Sequence, residues 1–213
     1  MTKQRRRPRQ SRARLTEEAI REAFELLLVA RGYEPVSIRE IIDHAGVGIG
    51  SFYEYFANKG ELASIWVHLR VKQIRMLMLE CLDEVRDQPL PVRVDSIIAA
   101  QCAPIFVEPE QWRSLFLLER QVSGIAPYRK QYAKFVQAWI AVLKEGPGWL
   151  DEATLDEAAF AAHSISYSLI SQALMTSDRA PDAAHWQRQL RRAVHGYLSV
   201  LAPLVYRLYR FDD

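Results

Sequence analysis

Between residues 37 and 62 the chain reads SIREIIDHAGVGIGSFYEYFANKGEL, and the side chains there that could do chemistry are short hydroxyls, phenols and isolated cations. Ser51 offers a hydroxyl small enough for a phosphate oxygen or a base edge. Tyr53 and Tyr55 offer phenolic donors. Lys59 falls in the first turn of a helix, where positive charge and free N–H groups favour a phosphate. Gly50 lets another backbone approach closely. Ile49 cannot hydrogen-bond, which leaves apolar contact, such as with the methyl group of thymine. None of these groups forms a nucleophile–base pair or a metal-ligand set. Their chemistry is recognition rather than bond making.

The spacing predicts the elements that hold them. Ser37 and Glu40 stand at capping-box separation and open a helix. Ile38, Ile41, Ile42 and Ala45 make its apolar stripe. Gly46 supplies the positive φ of a tight turn, and Val47 plugs the angle to the next helix. That second helix runs from about Ile49 to Tyr55, with Phe52 and Phe56 inward at i, i+4. Asn58 and Glu61 repeat the cap spacing and open a third helix. A short helix with small and hydroxyl-bearing residues outward is what a major groove admits.

The run AGVGIGSFYEYFANKGEL resembles the recognition-helix signature of the TetR family of bacterial transcription regulators. The resemblance extends back through an amphipathic helix near 16–31 and covers about the first third of the chain. It implies an all-α fold of about nine helices. An N-terminal three-helix helix-turn-helix DNA-binding domain, 15–62, would precede a helical ligand-binding and dimerisation domain, 63–213. It also implies that Ser37 and Arg39, at the start of the first of these two helices, and Ser51, Tyr53, Tyr55 and Lys59 touch double-stranded DNA, with Ile49 and Gly50 on the same surface. Ile49 departs from the basic or polar residue common there. Tyr55 stands where many members have His, which keeps a donor but removes titration near neutral pH.

The formal net charge is only +2 over 213 residues, but it is unevenly placed. Lys3, Arg5, Arg6, Arg7, Arg9, Arg12 and Arg14 lie in the first fourteen residues with no acid among them. We read 1–14 as a basic flexible arm for an anionic partner, Arg5, Arg6 and Arg7 being its densest stretch. Cys81 and Cys102 provide no disulfide framework and fit a reducing compartment. No secretory signal is read, and no stretch is read as membrane-spanning. We therefore expect a cytoplasmic protein with no membrane partner. No cofactor and no metal are expected, and the absence of a phosphate loop or nucleophile elbow argues against an enzyme.

Helical stripes fill the rest of the chain. Thr16 is the expected N-cap of the first helix, Gly32 its stop, and the fourth helix should run from about Lys59 to Arg86. The last should continue to about Tyr209. Trp112, Phe116, Tyr132, Phe135, Trp139, His163 and Tyr167 are candidate walls of an effector pocket for a mostly apolar small molecule. The family pairs its last two helices between subunits, and the apolar breadth of the final helix exceeds one stripe. Leu190, Val194, Leu198 and Leu201 are accordingly expected in a homodimer interface. The functional expectation is a homodimeric regulator, a repressor that binds a near-palindromic operator and is released by its effector. The alternative is an architectural or chromosome-organising DNA-binding protein without one.

Overall fold

The computed structural model describes residues 8–144, 151–177 and 182–207, and over these residues every regular element is a helix. They are α1 (Pro8–Arg31), α2 (Ile38–Ala45), α3 (Ile49–Tyr55), α4 (Lys59–Val85), α5 (Leu90–Val107), α6 (Pro109–Val122), α7 (Ile125–Lys144), α8 (Glu152–Met175), α9 (Ala183–Leu201) and α10 (Pro203–Tyr206). The all-α expectation holds.

Two boundaries differ from the sequence reading. α1 begins at Pro8, eight residues before Thr16. Proline's fixed φ suits a first helical position, and the Arg, Gln and Ala behind it are good helix formers. Thr16 is inside the helix, its hydroxyl donating back to the Arg12 carbonyl at 3.0 Å. Residues 8–14 are therefore helical; residues 1–7, with Arg5, Arg6 and Arg7, lie outside the described residues. At the other end α9 stops at Leu201, because Pro203 lacks an N–H and its ring clashes with the preceding turn. A single short turn, α10, follows.

Contacts divide the chain into two units, Met1–Leu69 with Ser114–Ser123, and Arg70–Arg113 with Gly124–Asp213. In the first, Ile20, Phe24 and Leu28 of α1, Ile41 of α2, Phe52 of α3, Phe56 and Leu62 are almost wholly buried. Phe24 sits edge-on to Trp66, whose indole N–H donates to Glu25 at 2.8 Å. From α6, Leu115 and Leu118 are buried. The Ser64 hydroxyl donates to the Val122 carbonyl at 3.1 Å.

In the second unit α8 is the central rod, packed on both α7 and α9. Ala158, Ala159, Ala162 and Ala173, all buried, are small enough to let helices approach from two sides. Arg113 donates to the carbonyls of Leu174 (2.8 Å) and Ser177 (3.0 Å), satisfying acceptors at the C-terminal end of α8. α5 corrects the membrane reading. It is long and apolar enough to cross a bilayer by length and composition, yet half of it is buried, and it packs on α7 and α9. Its Arg93 is buried, donating to the carbonyls of Val142 (3.1 Å) and Gln88 (2.8 Å).

Candidate nucleic-acid interface

The first unit's local geometry follows its sequence closely. The Ser37 hydroxyl accepts from the Glu40 N–H at 3.3 Å, while the Glu40 carboxylate accepts from the Ser37 N–H at 2.9 Å and from its hydroxyl at 2.8 Å. The capping box is complete. Arg31 donates to the other Glu40 oxygen at 2.9 Å. These bonds, led by that from the Ser37 backbone N–H, hold the carboxyl down at about 2. Gly46 ends α2 with φ of 65°, and Val47 N–H returns to the Ile42 carbonyl at 3.1 Å. Asn58 accepts from the Glu61 N–H at 2.9 Å and so opens α4; Glu61 reaches back to the N–H of Ala57 at 2.6 Å.

α3 is thereby fixed with one face in and one face out. Phe52 and Phe56 are 0% and 1% exposed, whereas Ile49 is 51% and Tyr53 56% exposed. Gly50 and Glu54 are exposed beside them; Ser51 and Tyr55 are half-buried. The Tyr53 ring rests edge-on against Phe52 at 5.4 Å, so the buried ring sets the position of the exposed one. Arg39 is exposed on α2.

Two of the expected contact side chains are already engaged. The Ser37 hydroxyl belongs to the capping box. The Lys59 ammonium donates to three carbonyls, Tyr33 (3.0 Å), Glu34 (3.3 Å) and Val36 (2.9 Å), and lies 4.2 Å from the centroid of the Tyr33 ring. An ammonium has three protons, and each has a protein acceptor here. Lys59 is therefore a clamp on the α1–α2 connection. The sequence signal for this was its place at the start of α4, but its acceptors are more than twenty residues away, and only folding brings them together.

The second unit rearranges the other candidates. Tyr132, Phe135, His163 and Tyr167 gather on α7 and α8. His163 stacks on Phe135 at 4.8 Å with 2° between the rings, and meets Tyr132 edge-on at 4.4 Å. Tyr167 lies 6.2 Å from it. Tyr132 also shares a hydrogen bond with Ser164. Burial pushes the His163 imidazole down to about 4, and its Nδ1 has no hydrogen-bond partner among the described residues. Trp139 is wholly buried on α7; Trp112 is buried with the Arg70 guanidinium 6.0 Å from its ring. Phe116 belongs to the first unit. Of the seven candidates, Tyr132 alone lines either groove described here. One groove, about 600 Å³, lies along Ile125, Tyr128, Arg129, Tyr132, Val136 and Phe160. The other, about 580 Å³, lies along Val136, Ile140, Asp156, Glu157, Phe160 and Tyr197. Both are open to solvent.

The dimer residues need a direct correction. Leu190, Val194 and Leu198 are 0–1% exposed in a single chain, and Leu201 is half-buried. Leu190, Val194 and Leu198 face the chain's own core, on the side of α9 that packs on α5 and α8. A side chain already covered by its own subunit has no surface left for another. The apolar residues left outward are Tyr197 (36% exposed), Val200 (79%) and Leu204 (78%), with Phe160 (55%) on α8. Sequence reasoning passed over His195 altogether. Wholly buried on α9, it meets Asp95 of α5 at 2.8 Å and the Tyr206 hydroxyl at 3.0 Å, tying α10 to α9.

A capped α2, a left-handed glycine turn and a short α3 with an exposed outer face make the first unit a helix-turn-helix head in an all-helical protein. Residues 20–64, the head itself, match the family model described as bacterial regulatory proteins, tetR family. An HTH-type transcriptional regulator encoded in the lacX 3′ region of Lactococcus lactis subsp. lactis is 41% identical over 66 residues. That match spans 30% of this chain and 34% of the relative, so the chain covers about a third of the relative's length. Solved structures extend the likeness of fold. A tetR-family regulatory protein from Rhodococcus RHA1 superposes with a TM-score of 0.65 at 18% identity, over 84% of this chain and 96% of that one. A TetR-family regulator from Streptomyces coelicolor gives 0.61 at 22%, over 85% and 98%. FadR from Bacillus subtilis, in complex with stearoyl-CoA, gives 0.63 at 16%, over 83% and 96%.

Proposed function

We propose that this chain is a cytoplasmic, homodimeric transcriptional regulator that binds a near-palindromic operator on double-stranded DNA through α3. A repressor released by a small, mostly apolar effector is the form we favour. The observation that carries the reading is the two-sided α3: Phe52 and Phe56 lock it from behind while Ile49, Gly50 and Tyr53 stand in solvent. Seven residues span about 10 Å, a length that fits within the ~12 Å width of a major groove. Arg39, Ser51, Tyr53 and Tyr55 remain our DNA contacts. Lys59 and Ser37 act by fixing the head that carries them. Arg5, Arg6 and Arg7 stay with the arm proposed for phosphate contact.

A dimer follows from the need to read two half-sites. Its surface we assign to Tyr197, Val200 and Leu204, the large apolar side chains that α9 and α10 leave outward. The effector we place along the groove of Tyr128, Tyr132, Val136 and Phe160, where Arg129 and Gln137 are the polar groups. The stearoyl-CoA bound by the structurally similar FadR supports a ligand of long apolar character. The test is selection of binding sites from random duplex DNA, followed by titration of hydrophobic compounds against the selected site. We expect a palindromic consensus and at least one compound that weakens binding. A chain that enriches no sequence would overturn the proposal. A chain that enriches one but is indifferent to every compound that stabilises it would leave the architectural alternative.

A further inference from the structure

We infer that Ile49 reads the methyl group of a thymine, and that α3 selects its operator by apolar contact instead of bidentate hydrogen bonding. The inference rests on the reading that α3 enters a major groove, and it names the base class that the groove must present.

Three observations carry it. The first is what α3 lacks. Its residues are Ile49, Gly50, Ser51, Phe52, Tyr53, Glu54 and Tyr55. The side chains that pair bidentately with a purine edge are Arg and Lys for guanine, and Asn and Gln for adenine. None is on this helix. Glu54, its one charged residue, is an acceptor only when ionised, so among base edges it can meet an amino group and nothing else. Arg39 is outward too, but on α2.

The second is the exposure of Ile49. Ile49 is 51% exposed at the first position of α3, whereas Ile41, Ile42 and Leu62 of the flanking helices are at most 9% exposed; the head's other strongly exposed aliphatic side chains, Leu15 and Leu26, lie on α1. The core does not use it. An aliphatic side chain has no hydrogen-bonding capacity, and the one apolar group that base pairs offer in the major groove is the thymine methyl.

The third is Gly50. Its φ is not in the left-handed region, and a Cβ built on it would meet nothing within 4 Å. The protein's own fold does not require glycine here, and within a helix glycine is less favourable than alanine. The missing side chain leaves open space beside Ile49, which a base edge can occupy.

The experiment uses the full chain and the duplex recovered by selection. Each thymine is replaced in turn by uracil, which removes the methyl and leaves the hydrogen-bonding edge unchanged. We expect one symmetry-related pair of thymines at which uracil weakens binding, by about fourfold per methyl and about 15-fold for the pair. Ile49→Ala should bind the thymine and uracil duplexes alike, and Ile49→Val should keep most of the discrimination. Circular dichroism melting checks that both variants are folded. Indifference of the parent chain to uracil at every position would overturn the thymine assignment and leave DNA binding intact. So would an Ile49→Ala chain that keeps the full thymine preference. Failure to recover any sequence would instead overturn the reading beneath it.

Discussion

Replacing Lys59 by Met separates a structural clamp from a phosphate contact. The substitution keeps the aliphatic stem and deletes the ammonium that ties Tyr33, Glu34 and Val36 together. Each charged hydrogen bond is worth about 1.5–3 kcal/mol on its own. Three bonds from one half-buried ammonium share a single charge and are not additive. With about 0.5–1 kcal/mol from the Tyr33 ring, the head should lose about 2–4 kcal/mol in all. At about 1.4 kcal/mol per tenfold, slowly exchanging amides in α2 and α3 should exchange about 30 to 700 times faster. Hydrogen exchange resolved by peptide reads this locally, even though the chain has two units. The salt dependence of DNA binding supplies the contrast. Were the ammonium a phosphate contact in each half of a dimer, its loss would flatten the slope of log K against log salt by about 1.8. We expect an unchanged slope. Unchanged exchange in α2 and α3 together with a flattened slope would refute the clamp.

Three further outcomes follow from the second unit. His163 titrates near 4 when folded against 6.5 ordinarily, so as pH falls the unfolded chain takes the proton first. Stability from this group is complete above pH 6.5 and declines as pH drops towards 4, by up to about 3 kcal/mol; denaturation curves across that window should show the loss, and His163→Phe, which keeps a ring against Phe135, should flatten it. Leu198→Glu buries a charge at a 0% exposed position and should melt the second unit even in dilute protein. Val200→Glu and Leu204→Glu change exposed positions and should leave the thermal melt of the protomer intact while shifting sedimentation from dimer to monomer; a dimer that survives both would move the interface elsewhere.

The helix-turn-helix was legible in the sequence because its determinants are local. Ser37 and Glu40 are one helical turn apart, Gly46 needs no partner beyond Ile42, and Phe52 and Phe56 share a face by periodicity alone. Backbone hydrogen bonding and side-chain spacing act over a few residues, so one sequence suffices to read them. For the same reason most helix limits could be placed from caps and prolines; Pro203 was passed over although its effect is just as local. Which face of a helix meets its own core is another matter. The final helix is apolar on more than one side, and pattern alone could not say that Leu190, Val194 and Leu198 pack inward while Tyr197, Val200 and Leu204 remain outside. The aromatic residues posed the same problem. Stacking His163 on Phe135 and burying Trp139 required α7 and α8 to be packed side by side. Lys59 shows the limit most sharply. Its charge suggested a phosphate, but three backbone carbonyls 23 to 26 residues earlier in the chain converge on it only after folding, and a cation takes the acceptors that tertiary structure sets beside it.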